Sequence, residues 1–467
     1  MNSPSDDGQA DSVPRKVLMI AFAFPPSGGS GVQRSAKFAK YLPQFGWLPT
    51  VWTAAEVDGL PLDPTLCNDL PPEVVVCPRS AGSGILAMRR SLRGFVNARA
   101  GEGLTAVASR FAKAIDWRLE AWQAATSLPD DGIAWARRSV GPLIGQIRTE
   151  NYAVIYSTYS PASNHWLALE LKRRTNLPWV ADFRDLWTDD CRYREPAPDR
   201  RAAHRRLEQE ILESADAVIA VSERQRKILA DHVPGQCDKF ITITNGFDPA
   251  DFENQTVDEA KTDSRFVLAF VGRFQLAQTK PELFEGLRLF VERLGDQKSR
   301  FLLRVVGYAS KSAQERLRAT GMECEFVDYV AHPEAIRIMR SADALLLKVP
   351  AGANGDSVIA GKLFEYLASQ RPILAIGPQG GECERIVHSC SAGLTAHFDE
   401  TAIAGALVQL FEAWSDGRPI PGCVSDGLDA YNRIELTRRL AAVFERLAGR
   451  RSQQAETREE SLEACAR

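Results

Sequence analysis

The 467-residue chain lacks any marked charge imbalance: 57 Lys and Arg face 60 Asp and Glu, a formal net charge of -3. No global electrostatic argument points to nucleic acid, so any anion site must be local. The nine cysteines include no C-x-x-C and no Cys/His spacing of the kind that holds zinc, and they read as scattered, reduced thiols. No apolar run approaches the roughly 18 to 20 residues that cross a bilayer. The opening MNSPSDDGQADSVPR has no apolar segment, so residues 1–15 are expected to form a disordered tail and not a signal peptide. These absences together predict a soluble, cytoplasmic protein of bacterial type. No internal repeat recurs at a fixed period.

What the sequence does contain is a rhythm of short aliphatic and β-branched runs between amphipathic segments. KVLMIAF, PTVWTA, EVVVC, YAVIYSTY, PWVADF, ADAVIAVS and KFITIT precede Gly246, and FVLAFVG, RFLLRVVG, CEFVDYV, ADALLLKV and RPILAIG follow Arg265. Such alternation predicts an α/β protein with parallel sheets covered by helices on both faces. Between the two groups lies an acidic, aliphatic-poor stretch, DPADFENQTVDEAKTDS. Two doubly wound, Rossmann-like domains are therefore expected, at 16–248 and 265–430, joined by a linker at 249–264.

A strandless segment at about 80–146 is expected to be a helical insertion. Within it, residues 83–122 interleave Ile85, Leu86, Met88, Leu92 and Phe95 with Arg89, Arg90 and Arg93. That pattern suits either a helix packed on its own domain or a peripheral contact with an anionic membrane. NRIELTRRLAAVFERLA predicts a helix at 431–448, and the polar residues 449–467 are expected to be frayed or disordered.

Two regions carry chemistry. FAFPPSGGSGVQR, residues 22–34, joins a strand to a helix through Gly28, Gly29 and Gly31. This arrangement can present backbone N-H groups and a helix dipole to a phosphate, or it can be only a tight turn. It is not a dinucleotide fingerprint, because Arg34 stands where the third glycine would, nor a Walker loop, because no G-K-[ST] follows. The second region, AGANGDSVIAGKLFEYLASQRPILAIGPQGGECERIV, places Lys362 and Glu365 on a helix opened by a glycine-rich loop. Glu365 lies between Phe364 and Tyr366, where an unpaired carboxylate is costly, so it needs a hydroxyl or cationic partner unless it sits on the exposed face.

KVLMIAFAFPPSGGSGVQRSAKFAKYLPQFGWLPTVWT, YSTYSPASNHWLALELKRRTNLPWVADFRDLW, SADAVIAVSERQRKIL with ITITNGFDPADF, VGRF, and GKLFEYLASQRPILAI with GGECERIV occur in that order. Together they resemble the family 4 retaining glycosyltransferases of GT-B fold, over roughly residues 16 to 447. The resemblance implies two domains facing a cleft, with a C-terminal helix that crosses back to the first. It implies transfer of a sugar from a nucleotide-diphosphate donor to a hydroxyl of a glycan or lipid-linked acceptor, in polysaccharide or cell-envelope glycan synthesis. It also implies that Gly28, Gly29 and Gly31 approach the diphosphate, and that Arg273 and the following Lys280 clamp it. Lys280 stands seven residues after Arg273, where many relatives have five. Neither cofactor nor metal is called for, and the chain has no D-x-D triplet.

On the nucleotide side, Glu365, near Lys362, matches the glutamate that binds the ribose hydroxyls. The other glutamate of the family's pair, which meets the donor sugar, falls on Ser357. Arg184 replaces a histidine found in many relatives, and its neighbours Asp182 and Asp185 offer either an ion-pair network or an acceptor-side base. His165 is a further cleft candidate or a packing residue. Rival readings are a GT-B nucleotide-sugar epimerase or phosphorylase-like enzyme, a catalytically silent nucleotide-sugar-binding subunit, and a nicotinamide-dependent oxidoreductase.

Overall fold

A computed structural model describes residues 14–57, 60, 62–81, 115, 118, 127–193, 197–253, 264–419 and 427–466. The aliphatic runs form strands. β1 (Arg15–Ile20), β2 (Trp47–Ala54), β3 (Val75–Arg79), β4 (Tyr152–Tyr159), β5 (Trp179–Phe183), β6 (Ala217–Ala220) and β7 (Phe240–Thr242) make one sheet. Its order is β3-β2-β1-β4-β5-β6-β7, and every pairing is parallel. β8 (Phe266–Val271), β9 (Phe301–Val306), β10 (Cys324–Val327), β11 (Ala344–Lys348), β12 (Ile373–Ile376) and β13 (Gly393–Ala396) make a second parallel sheet, ordered β10-β9-β8-β11-β12-β13.

Both sheets are buried on two faces, as continuous aliphatic runs require. In β1, Leu18 and Ile20 join one core with Trp52 and Trp179, while Val17 and Met19 join another with Trp47 and Tyr156. β11 divides in the same way, with Leu345 and Leu347 on one side and Ala344 and Leu346 on the other. The pleat alone produces this division, since successive side chains leave opposite faces. β13 is an edge strand whose GLTA has no aliphatic run, and the sequence reading did not anticipate it.

The C-terminal helix, Arg433–Ala466, leaves the second domain and packs on the first. Leu436, Leu440 and Phe444 enter the core of Val17 and Met19, and the rings of Trp47 and Phe444 meet at 5.2 Å. The backbone stays helical through 449–466, where the sequence predicted fraying. That stretch is rich in Ala, Glu, Gln and Arg, which favour helix even without an apolar face. The proposed membrane segment, 83–122, lies outside the described residues apart from helical positions 115 and 118.

The chain crosses between domains twice, and the two crossings touch. Phe247 N-H donates to Tyr431 O at 3.0 Å and Arg433 N-H to Phe247 O at 2.9 Å, a parallel bridge between Phe247 and Asn432. Gly246 permits this approach, because a Cβ there would stand 2.1 Å from Tyr431 O. Gly246→Ala is therefore expected to lower stability by roughly 2 to 3 kcal/mol, the size of a backbone clash without easy relief. Urea denaturation would read the loss; an unchanged midpoint would show that the crossings are not tightly packed.

Candidate functional site

The C-terminal ends of the strands of both sheets face one another across a cleft of about 250 Å³. The glycine loop after β1 forms part of its wall. Gly29 has φ +108°, a conformation open to glycine, and from it the helix Ser30–Tyr41 begins. Gly31 lines the cleft, whereas Gly28 is buried in the loop and Gly29 does not reach the wall.

Arg34, read from sequence only as a missing glycine, is the most heavily engaged side chain of this helix. It is 1% exposed and grips the fully buried Asp182 with two bonds, Nε to Oδ2 at 2.7 Å and Nη2 to Oδ1 at 2.9 Å. Its remaining donors reach Ile243 O at 2.9 Å, Thr244 O at 2.8 Å and Asn245 Oδ1 at 3.2 Å. All five guanidinium N-H groups are thus used. The Tyr156 hydroxyl also donates to Asp182. Asp182 is consequently not an acceptor-side base: it lies within β5, behind the wall, with its oxygens committed to Arg34 and Tyr156.

One turn later, Lys37 pairs with Asp248 at 2.6 Å and Asp251 at 2.9 Å, and Lys40 pairs with Asp248 at 2.8 Å and Asp69 at 2.6 Å. Burial pushes the Asp248 carboxyl up, but Lys37, Lys40 and the Tyr41 hydroxyl outweigh it and hold it at about 2. The oxygens of Asp69, Asp248 and Asp251 lie within 4.8 Å of one another, a grouping that could hold a cation. The two lysines already supply positive charge there.

Arg184 and Asp185 follow β5 and line the cleft. The Arg184 guanidinium donates to Gly31 O and to Ser160 O, the latter at 3.2 Å. Asp185 is 36% exposed at its side chain and pairs with Arg192 at 2.6 Å. His165 is not at the cleft. It is fully buried, with Nδ1 at 2.7 Å from Ser157 Oγ and its ring 4.6 Å from that of Phe183. Burial lowers its pKa to about 3, against the pull of Asp182.

From the second domain come Gly361, Lys362 and Glu365. The partner that Glu365 requires is Lys362, one helical turn away, and the side chain of Glu365 is 15% exposed. Burial raises the Glu365 pKa, but Lys362 and then His332 bring it below the usual carboxylate value. His332 Nε2 lies 3.1 Å from Asp251, on the segment that leaves the first domain and whose carboxylate also pairs with Lys37. Ser357 does not face the cleft. It is fully buried, its hydroxyl donates to Asn354 O at 2.7 Å, and its carbonyl accepts from Ser222 and Gln225 of the first domain at 3.2 and 3.3 Å.

Arg273 and Lys280 lie on the exposed loop after β8. Arg273 stacks 5.6 Å from the Tyr308 ring, and Lys280 immediately precedes the helix Pro281–Leu294 without a side-chain cap. Among the described residues that line the cleft, Gln278 between them is present and neither of the two is. Lys348, at the end of β11, supports this loop from beneath by donating to Thr279 Oγ1 at 2.8 Å and to Gln275 O and Gln278 O at 3.3 Å. The structure thus gathers Gly31, Arg184 and Asp185 of the first domain and Lys362 and Glu365 of the second around one cleft. It adds Arg34, Lys37, Asp248 and Arg433, which sequence reasoning missed because their partners are distant in the chain.

Two parallel-sheet domains facing one cleft, with the last helix returned to the first domain, define a GT-B fold. Residues 120–251 match the model of Glycosyltransferase Family 4, which agrees with the motif resemblance. Solved structures agree on the fold. A sucrose-phosphate synthase from Thermosynechococcus elongatus matches at 15% identity, TM-score 0.52, over 96% of this chain and 100% of its own. A protein from E. coli described as trehalose-6-phosphate, bound with UDP-2-fluoro glucose, matches at 10% identity, TM-score 0.55, over 94% and 98%. A putative UDP-N-acetylglucosamine 2-epimerase from Listeria monocytogenes matches at 11% identity, TM-score 0.54, over 92% and 95%. No curated protein sequence matches the chain. No described helix is long and apolar enough to cross a membrane.

Asp182→Asn leaves the Arg34 cation buried without its counter-charge and is expected to cost about 3 to 5 kcal/mol in urea denaturation. A loss under 1 kcal/mol would show that the pair does not hold the wall. His165 has a folded pKa below its ordinary 6.5, so its contribution to stability is present above pH 6.5 and is lost as pH falls toward 3. His165→Gln is expected to flatten that acid limb, and an unaltered limb would mean that His165 takes up its proton at the same pH folded and unfolded.

Proposed function

We propose that this protein is a retaining glycosyltransferase that moves a sugar from a nucleotide-diphosphate donor to a hydroxyl of a glycan or lipid-linked acceptor. The observation that carries this reading is the ionised Glu365, held by Lys362 on the second domain and open to a cleft whose opposite wall is the glycine loop. A partly exposed carboxylate at such a strand-end crevice suits paired ribose hydroxyls. The UDP-2-fluoro glucose bound to the E. coli structure of similar fold makes a nucleotide-sugar the natural donor class.

In the reaction the bond from the anomeric carbon to the β-phosphate oxygen breaks, and a bond from that carbon to the acceptor oxygen forms on the same face. The acceptor proton passes to the departing diphosphate or to Asp185, the carboxylate that remains on the cleft wall. Positive side chains and the backbone of the glycine loop stabilise the leaving diphosphate in place of a metal. Arg273 and Lys280 take part by closure of the loop that carries Gln278 into the wall. Lipopolysaccharide or exopolysaccharide assembly at the inner face of the membrane is the setting the acceptor class suggests, with residues 83–122 as the dock.

An epimerase reading is supported by the Listeria structure, whose printed description names a nucleotide-sugar 2-epimerase. It differs in needing no acceptor, so conversion of the donor sugar without transfer or hydrolysis would favour it. For the transferase reading, UDP, GDP, ADP, dTDP, CMP and NAD would be tested for thermal stabilisation of wild type and Glu365→Ala. One nucleoside diphosphate is expected to stabilise the wild type, by about 2.7 kcal/mol at a hundredfold excess over Kd, and the variant far less. Stabilisation by NAD alone, or indifferent to Glu365, would overturn the assignment.

A further inference from the structure

One cation lining the cleft has a buried guanidinium nitrogen without a hydrogen-bond partner among the described residues. Arg433 opens the C-terminal helix, and the pairing of its N-H with Phe247 O fixes its backbone. The residue lines the cleft although only 5% of it is exposed. Its Nη1 has no hydrogen-bond partner, and among the described residues no ion pair engages the guanidinium. The other basic groups on the wall are engaged. Arg34 holds Asp182, Lys37 holds Asp248 and Asp251, Lys362 holds Glu365, Arg192 holds Asp185, and Arg184 donates to two carbonyls.

A buried guanidinium without a counter-charge destabilises the fold that keeps it. Burial, and then repulsion from Arg34, draw the Arg433 pKa down to about 9 despite the carboxylates of Glu365, Asp182 and Asp248. It is still a cation near neutral pH, with a planar fork suited to two oxygens of one anion.

We propose that Arg433 is an anion-binding residue of the cleft, whose guanidinium takes a phosphate group entering between the two domains. The phosphate has two possible sources. It is either the diphosphate of the nucleotide donor, in which case the inference rests on the function proposed above, or a phosphate carried by the acceptor. Because Arg433 belongs to the chain crossing and not to either sheet, a phosphate bound there ties both domains to the pivot between them.

The test uses the full chain, as wild type, Arg433→Gln and Arg433→Lys, titrated calorimetrically. The probes are inorganic phosphate, inorganic pyrophosphate, four nucleoside diphosphates (UDP, GDP, ADP and dTDP) and their nucleosides. Arg433→Gln is expected to weaken a phosphate-bearing probe by about tenfold to a hundredfold, the usual worth of hydrogen bonds to a charged group, and to leave nucleoside binding unchanged. The unliganded Gln variant is expected to melt no lower than wild type, which a purely structural arginine would not allow. A loss with the nucleoside diphosphates identifies the donor as the source. A loss with inorganic phosphate alone identifies the acceptor. Pyrophosphate binding that depends on Arg433, in a protein that binds no nucleoside diphosphate, would sustain this inference while removing the nucleotide reading. Affinities within twofold of wild type for every probe, or a wild type that binds none of them, would overturn it. If Arg433→Gln does not fold, Arg433→Lys decides: it keeps the charge and loses the fork, so undiminished phosphate affinity counts against the proposal.

Discussion

The pair formed by Arg34 and Asp182 is the contact on which the first domain's face of the cleft depends. Neither charge has access to water, so each is stable only because the other is there and the remaining donors are met. Through that one guanidinium the helix after the glycine loop, the end of β5 and the loop after β7 are held in one register. The position of the glycine loop is thus set three residues further along the chain, at Arg34.

A second layer of charge lies outside this pair. Lys37, Lys40, Asp69, Asp248 and Asp251 form a compact network, and His332 extends it to Glu365 across the cleft. Ser222, Arg224 and Gln225 make the corresponding contacts on another edge, where Arg224 donates to Gly380 O at 2.8 Å and pairs with Asp356. Among the described residues, these contacts between the domains are made by polar groups. Such an interface is consistent with relative motion, because water can replace each contact as it opens.

The strands were legible because a sheet covered on both faces demands uninterrupted aliphatic runs, and twelve such runs stand out. β13 did not, since an edge strand needs to be apolar on less of its surface. Lys362 and Glu365 were legible as a pair because a helix brings residues three apart onto one side. Asp182 and Asp185 could not be separated by pattern. The strand ends at Phe183, and whether a carboxylate faces the core or the solvent there depends on a partner 148 residues earlier. Arg34 was misread for the same reason, as its five acceptor atoms come from two distant segments, Asp182 and residues 243–245. Ser357 was singled out only because the resemblance puts a glutamate at its position, and its burial against the first domain is a tertiary fact that no local pattern encodes.

Two adjacent chain crossings, hydrogen-bonded at Phe247 and Asn432, have a mechanical consequence. A single connecting strand is a swivel, free to turn about its own axis as well as to bend. A pair of strands tied side by side behaves as a strap: it flexes across its width and resists torsion. Opening and closing of this cleft is therefore confined to something near a single degree of freedom, so that each closure returns the two walls to the same alignment.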